Sequence, residues 1–495
     1  ERCPYVVGIG ASAGGLQPLQ EFFGNMPQDS GMAFVIVQHL SPEFKSLMSE
    51  LLSRRHTKMA LHHVEHGMPL EPNSIYLIPP KKNVVICQDK LHLIDQDLTR
   101  GHLPNFPIDI FFHSLAENLH ERAIAVILSG TGSDGTRGVR AVNEAGGIVL
   151  AQDPETAQFD GMPRSVIATG LADYVLPTDK LARAVYDYVT NAPGGLIKAV
   201  ANSDLETTLQ EITAIVARDQ QIDFSHYRPT TLARRIERRR VIAGCNTLQA
   251  YMELLAESDK ERAALRNDLL INVTGFFRDP EAWTYLEQQI IPRLIAQTAE
   301  SEELRIWVTA CSTGEEAYSV AMLVQEGLAV AGKSLDVKVF ATDIDETALQ
   351  KAASCVYPEG VIEDVTPQRV KRFFKKKGQS YQVVRQLREM MIFASHNLAR
   401  NPPFTRMHLV TCRNLLIYMQ PQLQQQVLSA LHFALQPKGV LFLGSAETLG
   451  DLEPEFGTLH QKWKIFEKKR DVRLPASGRG VPPVRAAYFA GVAAV

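Results

Sequence analysis

The stretch Val6-Val-Gly-Ile-Gly-Ala-Ser-Ala-Gly-Gly15 reads as a β-branched strand running into a glycine-rich turn, with an amphipathic helix opening near Leu16. The same unit recurs outward from it. Between Tyr5 and about Tyr188, short apolar runs (YVVGIG, MAFVIVQHL, SIYLIPP, NVVICQ, AIAVILSG, GIVLAQ) alternate with amphipathic segments such as residues 16–23 and 109–120. That alternation predicts βαβ units around a mostly parallel sheet. Past Arg305 it returns in RIWVTA, KVFATD, MIFASH, HLVTC and GVLFLG, with a helix over 421–435 and a last strand in KWKIFEKK. Between Leu205 and Asp268 the period is helical throughout. The expected fold class is therefore α/β, with two doubly wound, mostly parallel sheets and a small all-helical module between them. The expected boundaries are 1–190 for the first sheet, 191–204 for a linker containing Asn191-Ala-Pro-Gly-Gly195, 205–285 for the module, 286–470 for the second sheet, and 471–495 for a disordered tail.

Length agrees with several units, since 495 residues exceed what one hydrophobic core organises. Apolar residues make up 45% and charged residues 22%, so disordered and fibrous classes fall away. The net charge of −3 argues against a general polyanion binder such as a nucleic-acid protein. Six scattered cysteines without a CxxC pair spell neither a disulfide framework nor a zinc knuckle, which fits a reducing, cytoplasmic setting. The longest apolar runs fall far short of the roughly 20 residues that span a bilayer, so no membrane insertion is expected.

Chemistry concentrates at strand ends. Gly10-x-Ser12-x-Gly14 has the small neighbours that let a sharp elbow expose a serine hydroxyl beside backbone N–H groups able to hold an oxyanion. A rival reading of Gly8-x-Gly10-x-x-x-Gly14 is dinucleotide binding, but that fingerprint wants an acid at the end of the next strand, where Gln38-His39 stands. His39 is placed to act as general base, although a single histidine there also has a purely structural reading. Asp134, in the loop of VILSGTGSDG, is placed to orient an imidazole.

The order and spacing of GIGASAGG, VIVQHLSP, YLIPP, SGTGSDGTRG and AQDPETAQFDGMPRS resemble the catalytic domain of the chemotaxis protein-glutamate methylesterase (CheB-type) family. The resemblance covers about residues 4–190. It implies hydrolysis of γ-glutamyl methyl esters on chemoreceptor helices with release of methanol, and possible deamidation of glutamine. It makes Ser12 the nucleophile, His39 the base and Asp134 its orienting partner. Ala13 and Thr131 depart from residues frequent in that family, and the family's phosphorylatable receiver is not seen in this sequence.

The segment Trp307-Val-Thr-Ala-Cys-Ser-Thr-Gly-Glu-Glu316 is again strand, small-residue turn and helix start. One glycine makes a weak phosphate loop. A cofactor with a sulfonium and an amino group instead tolerates carboxylates, and Glu315 is placed to supply one. Asp343, ending KVFATD, suits two ribose hydroxyls, while a plainer reading makes Asp343 and Asp345 helix caps. Together with INVTGFFRDP, ATDIDETAL, FASHNLAR and VTCRNLLIYM, this segment resembles the chemotaxis receptor glutamate O-methyltransferase (CheR-type) family over about residues 205–469. The resemblance implies an S-adenosylmethionine site lined by Asn272, Thr274, Arg278, Glu315, Asp343, Asn397, Leu398, Arg413 and Asn414, with Tyr418 near the substrate carboxylate. His408 stands where relatives usually have Asp. Glutamate carboxylate is already a nucleophile at neutral pH, so transfer needs alignment and partial desolvation more than a base.

The arginine-dense TTLARRIERRR is either a solvated helix face or, as the second resemblance implies, a dock for an acidic receptor helix. His56, His62, His63 and His66 lack an HExxH pattern or a cysteine partner, so no metal is expected. The sequence thus points to a two-enzyme chain that removes and adds methyl groups on glutamates of a methyl-accepting signalling protein. A non-catalytic scaffold binding receptor helices and cofactor is the alternative.

Overall fold

The computed structural model describes residues 5–38, 59–96, 105–190, 203–217, 224–270, 272, 274–362, 364–378 and 380–471. His39, His56, most of the expected linker (191–202) and the expected tail beyond residue 471 lie outside the described residues.

The first sheet has seven strands, all paired in parallel, in the spatial order Tyr174–Leu176, Ile148–Gln152, Ala123–Ile127, Val6–Ala11, Ala33–Gln38, Ser74–Leu77 and Ala60–His63. The chain enters at the centre, builds one side, then crosses to Ala123–Ile127 and builds the other. Strand order therefore reverses beside Val6–Ala11, and in open α/β sheets the crevice outside the strand ends at that reversal is where sites form. Helix Leu16–Asn25 covers one face through Leu19, Phe22 and Phe23, and helix Pro107–Leu119 covers the other through Phe111, Phe112 and Leu115. A Cβ on Gly8 would lie 2.7 Å from the Phe112 ring, and one on Gly10 would lie 2.7 Å from Ile108. These two glycines serve the packing of Pro107–Leu119 on the sheet, which accounts for the GxG pattern without a nucleotide.

One expectation is corrected. NVVICQ does not join the parallel sheet, because Lys82–Cys87 pairs antiparallel with Lys90–Asp95 in a separate three-stranded sheet completed by Met68–Pro69. The tight turn at Gln88 and Asp89 (φ 51° and 58°) sends the chain straight back, so no crossover is available for parallel pairing.

The second sheet repeats the logic in the order Met391–Ser395, Val337–Asp343, Leu304–Thr309, Met407–Cys412, Leu435–Leu443, Ile465–Lys468 and Phe456–His460. The first five strands run parallel, and the last two add an antiparallel edge. Here the order reverses beside Leu304–Thr309, between Val337–Asp343 and Met407–Cys412. A small antiparallel sheet of Val356–Pro358, Ser380–Val383 and Phe374–Lys377 stands apart.

Between the sheets, helices Ser203–Ala217, Pro229–Ile242, Leu248–Glu257 and Asp259–Leu270 close around Leu209, Ile212, Phe224, Ile236, Tyr251 and Leu265. Helix Pro280–Tyr285 packs elsewhere: Trp283, with Leu286 just beyond it, joins the core of the second sheet. The arginine-rich helix is not a solvated face. Arg235, Arg238 and Arg240 are buried. Arg238 bridges Asp173 of the first unit and Asp268, Arg239 pairs with Glu261, Arg240 with Glu237, and Arg234 approaches Glu121 at 3.6 Å. These guanidiniums are engaged within the chain, so the face expected to meet solvent or an acidic helix is an internal seam.

Candidate active sites

Ser12 follows the central strand of the first sheet at its reversal point. Its turn is held by main-chain bonds: Ser12 N–H donates to the Ser129 carbonyl at 3.0 Å, and Gly15 N–H to the Ser12 carbonyl at 3.0 Å. Gly14 adopts φ +71°, and a Cβ there would also meet Phe159 and the Ser129 hydroxyl at 2.9 Å. The loop after Ala123–Ile127 closes over the serine so tightly that a Cβ on Gly130 would come 2.9 Å from the Ser12 Cβ and collide with the Met162 sulfur. The elbow is thus walled by the SGTGSDG loop and by the segment around Met162.

Asp134, 3% exposed, sits on that same loop. Its Oδ2 accepts the Ile108 N–H and its Oδ1 the Asp109 N–H, each at 3.0 Å. The carboxylate therefore also satisfies two of the unpaired N–H groups that open helix Pro107–Leu119, where the helix dipole favours negative charge.

Sequence reasoning missed the companion acid. Asp109 is buried beside Asp134 and accepts the Gly138 N–H at 2.7 Å. Burial first, and the charge of Asp134 second, push its carboxyl up to about 8. A carboxyl raised on folding holds its proton in the native state, so the stability it contributes is present at low pH and is lost as pH rises towards and through about 8. Asp109→Asn keeps the amide oxygen for Gly138 and removes the titration. Thermal melts of the variant between pH 6 and 9 are expected to decline less than the wild type's, by up to about 1.4 kcal/mol per pH unit for one proton. Parallel declines would show that Asp109 is charged throughout.

At the reversal point of the second sheet lies a cavity of about 360 Å³. Asn272, Thr274, Arg278, Asp343, Asn397, Leu398, Arg413, Asn414 and Tyr418 all line it. Asp343 accepts the Ser312 N–H at 2.7 Å and the Asp345 N–H at 2.9 Å. Burial raises its carboxyl above the usual range, against those backbone donors. Asp345 does the capping: it accepts from Thr347 N–H at 2.8 Å and Ala348 N–H at 3.2 Å at the start of helix Glu346–Ser354, and from the Asn272 amide.

Glu315 is the exception. Its carboxylate takes the Thr313 hydroxyl at 2.6 Å and faces a different cavity, of about 530 Å³, between the first unit and the second sheet. Consecutive residues in a helix point about 100° apart, so the next position turns to a different side. Glu316 lines the first cavity, accepting from the Thr411 hydroxyl at 2.6 Å and from Arg413 at 3.3 Å. Arg413, 1% exposed, also donates to Asp279 at 2.6 Å and to the Arg278 carbonyl at 3.0 Å, and so ties the GFFRD segment to the CRN loop. His408 accepts the Arg305 N–H at 3.1 Å and does not line the cavity.

A second residue missed in the sequence is Glu447. Its Oε1 accepts from the N–H groups of Leu415 and Leu416, and its Oε2 from those of Asn414 and Gly444, at 2.6 to 3.2 Å. It is the buried anchor of the loop carrying Asn414 and Tyr418. Glu447→Gln turns an NH₂ group against two of these donors, and a buried charged hydrogen bond typically contributes about 1.5–3 kcal/mol, so we expect a loss near 2 kcal/mol in denaturant unfolding. An unchanged midpoint would contradict this anchoring.

The residues fit S-adenosylmethionine. The Ser312 hydroxyl is buried on the cavity wall, beside an acidic strand end, without a hydrogen-bond partner among the described residues. Ile344, Leu398, Met419 and Leu423 supply an apolar bed for a purine, and the volume lies in the range of cofactor pockets. Among the described residues no group of three His, Cys, Asp or Glu side chains is gathered as for a metal ion, and no helix is long and apolar enough to cross a membrane. His62 stacks on Tyr76, and His66 meets His92 edge to face.

Fold and site together define a serine-elbow α/β unit joined to a nucleoside-binding α/β unit of the methyltransferase kind. Residues 7–185 match the family model of the CheB methylesterase, residues 207–270 that of the CheR methyltransferase all-alpha domain, and residues 272–465 that of its SAM binding domain. The chain is 32% identical over 250 residues to a chemotaxis protein methyltransferase of Listeria innocua, an alignment covering 50% of this chain and 92% of that protein. A protein-glutamate methylesterase/protein-glutamine glutaminase of Desulfitobacterium hafniense is 31% identical over 189 residues, 37% of this chain and 47% of that protein. A 104.1 kDa protein of Rhodobacter capsulatus is 39% identical over 454 residues, 87% of this chain, and the chain spans about half the length of that relative, 47%. The chain belongs to the chemotaxis protein methyltransferase family and carries a CheB methylesterase domain ahead of it.

Proposed function

We propose that this chain both hydrolyses and forms methyl esters on glutamate side chains of a methyl-accepting receptor or similar signalling protein at its helices. The observation that carries the reading is the pair of strand-order reversals, each with the expected chemistry at its crevice: Ser12 beside the first, Asp343 and Arg278 around the cavity at the second.

In the first unit Ser12 Oγ is the nucleophile, His39 takes its proton and later returns it to the leaving methanol, and Asp134 holds the imidazole. Water then releases the glutamate and regenerates the serine. In the second unit, bound S-adenosylmethionine supplies a methyl group on a sulfonium. Asp343 would hold its ribose hydroxyls and Asn397 and Leu398 would border its base, while Glu316 rather than Glu315 gives the cavity its negative wall. Arg278 and Tyr418 align the acceptor carboxylate, whose desolvation in the cavity strengthens it as a nucleophile. The chain with radiolabelled S-adenosylmethionine and a membrane receptor preparation should place base-labile label on the receptor. Base-stable label would sink the glutamate ester reading.

A further inference from the structure

An arginine that lines the cavity at the second sheet's reversal point already pairs with a carboxylate of the chain itself. Glu144 ends helix Thr136–Glu144 of the first unit, and its Oε2 lies 2.8 Å from the Arg278 guanidinium that lines the cavity. The contact is braced on both sides. Arg235 donates to the Asn143 carbonyl at 2.8 Å and to the Glu144 carbonyl at 3.4 Å, and Arg140 donates to the Thr274 carbonyl at 3.0 Å on the cavity rim. The Tyr418 hydroxyl, on the same cavity, is held above its usual range by burial first and by the charge of Glu144 second, which puts Glu144 within electrostatic reach of it.

Helix stability does not explain this acid. A glutamate at a helix C-terminus faces the negative end of the dipole, where a cation is preferred. What the position does offer is a glutamate side chain, the substrate group itself, presented to the arginine and tyrosine assigned to the acceptor. We propose that Glu144 is a tethered occupant of the acceptor position, which a receptor glutamate must displace before it is methylated. The inference rests on the assignment of Arg278 and Tyr418 to the acceptor side made above.

Holding the pair carries a cost that displacement returns: the side chains are only 30% and 23% exposed, and burial raises the Glu144 carboxyl above its usual range against the lowering charge of Arg278. A tethered group nevertheless competes at a high effective concentration, and the apparent affinity of the incoming group falls by the fraction of sites left open.

The test uses the full chain as wild type, Glu144→Gln and Glu144→Asp, with a synthetic helical peptide bearing a glutamate pair as probe. Peptide binding is followed by fluorescence anisotropy without cofactor, and methyl transfer to the peptide is followed with it. Glu144→Gln is expected to bind the peptide about tenfold tighter, and to lower KM for it by a similar factor with kcat unchanged, as removal of a competitor predicts. Glu144→Asp, one methylene shorter, should gain part of that and guards against a folding defect in the first variant. Equal peptide affinity in all three proteins, with S-adenosylhomocysteine still bound and the peptide still methylated, would overturn the tethered occupant alone. Wild type that binds S-adenosylhomocysteine but never methylates the peptide, with or without Glu144, would overturn the acceptor assignment and this inference with it.

Discussion

Ser12→Ala is expected to abolish methanol release from methylated receptor, a loss on the order of 10⁶ in rate for a triad nucleophile. The variant is a clean probe because the described bonds of Ser12 at the turn are made by its main-chain N–H and carbonyl. Ser12 N–H binds Ser129, and the Ser12 carbonyl accepts from Gly15 N–H and from the Gln38 amide. None of these needs the hydroxyl, so the substitution leaves them in place. Cofactor binding at the second sheet should be untouched. Methanol release near the wild-type rate would remove Ser12 from the mechanism and leave the elbow as packing.

Asp343→Ala is expected to weaken S-adenosylmethionine binding on the order of 10³, because two hydrogen bonds from ribose hydroxyls to a charged acceptor typically contribute about 1.5–3 kcal/mol each. Asp345→Ala should behave differently. Asp345 spends one oxygen on the Thr347 and Ala348 N–H groups and the other on Asn272, so its loss falls mainly on the helix, by about 1 kcal/mol for an N-cap. Calorimetric titration with cofactor and thermal melts of both variants separate the two. Equal cofactor affinities would mean that Asp343 is only a brace for Ser312 and Asp345.

Strand ends were legible because a β-branched run that stops at small residues has few alternatives, and Val6–Ala11, Leu304–Thr309 and Val337–Asp343 appear where such runs stop. The reversal points followed, and with them the neighbourhood of Ser12 and Asp343. Facing was not legible. Glu315 and Glu316 are adjacent, and only the helix's start, fixed by Gly314 at φ 94°, decides which one turns to the cavity. Nor does local pattern reveal a distant partner. The arginine run looked like a solvated face because Asp173, 65 residues before Arg238, carries no signal in that window. Glu447 and Asp109 were hidden for the same reason: each accepts backbone N–H groups brought to it by the fold, 29 residues away for Asp109 and 31 to 33 for Glu447 apart from the nearby Gly444.

The central claim is that one chain does both reactions, and pulse-labelling the receptor tests it most directly. Wild-type chain, labelled S-adenosylmethionine and receptor membranes are followed over time for label on protein and label in volatile methanol, beside Ser12→Ala. Wild type should show protein label that passes into methanol, while Ser12→Ala should accumulate protein label with no methanol. Identical time courses for the two proteins would contradict a chain that both writes and erases the ester.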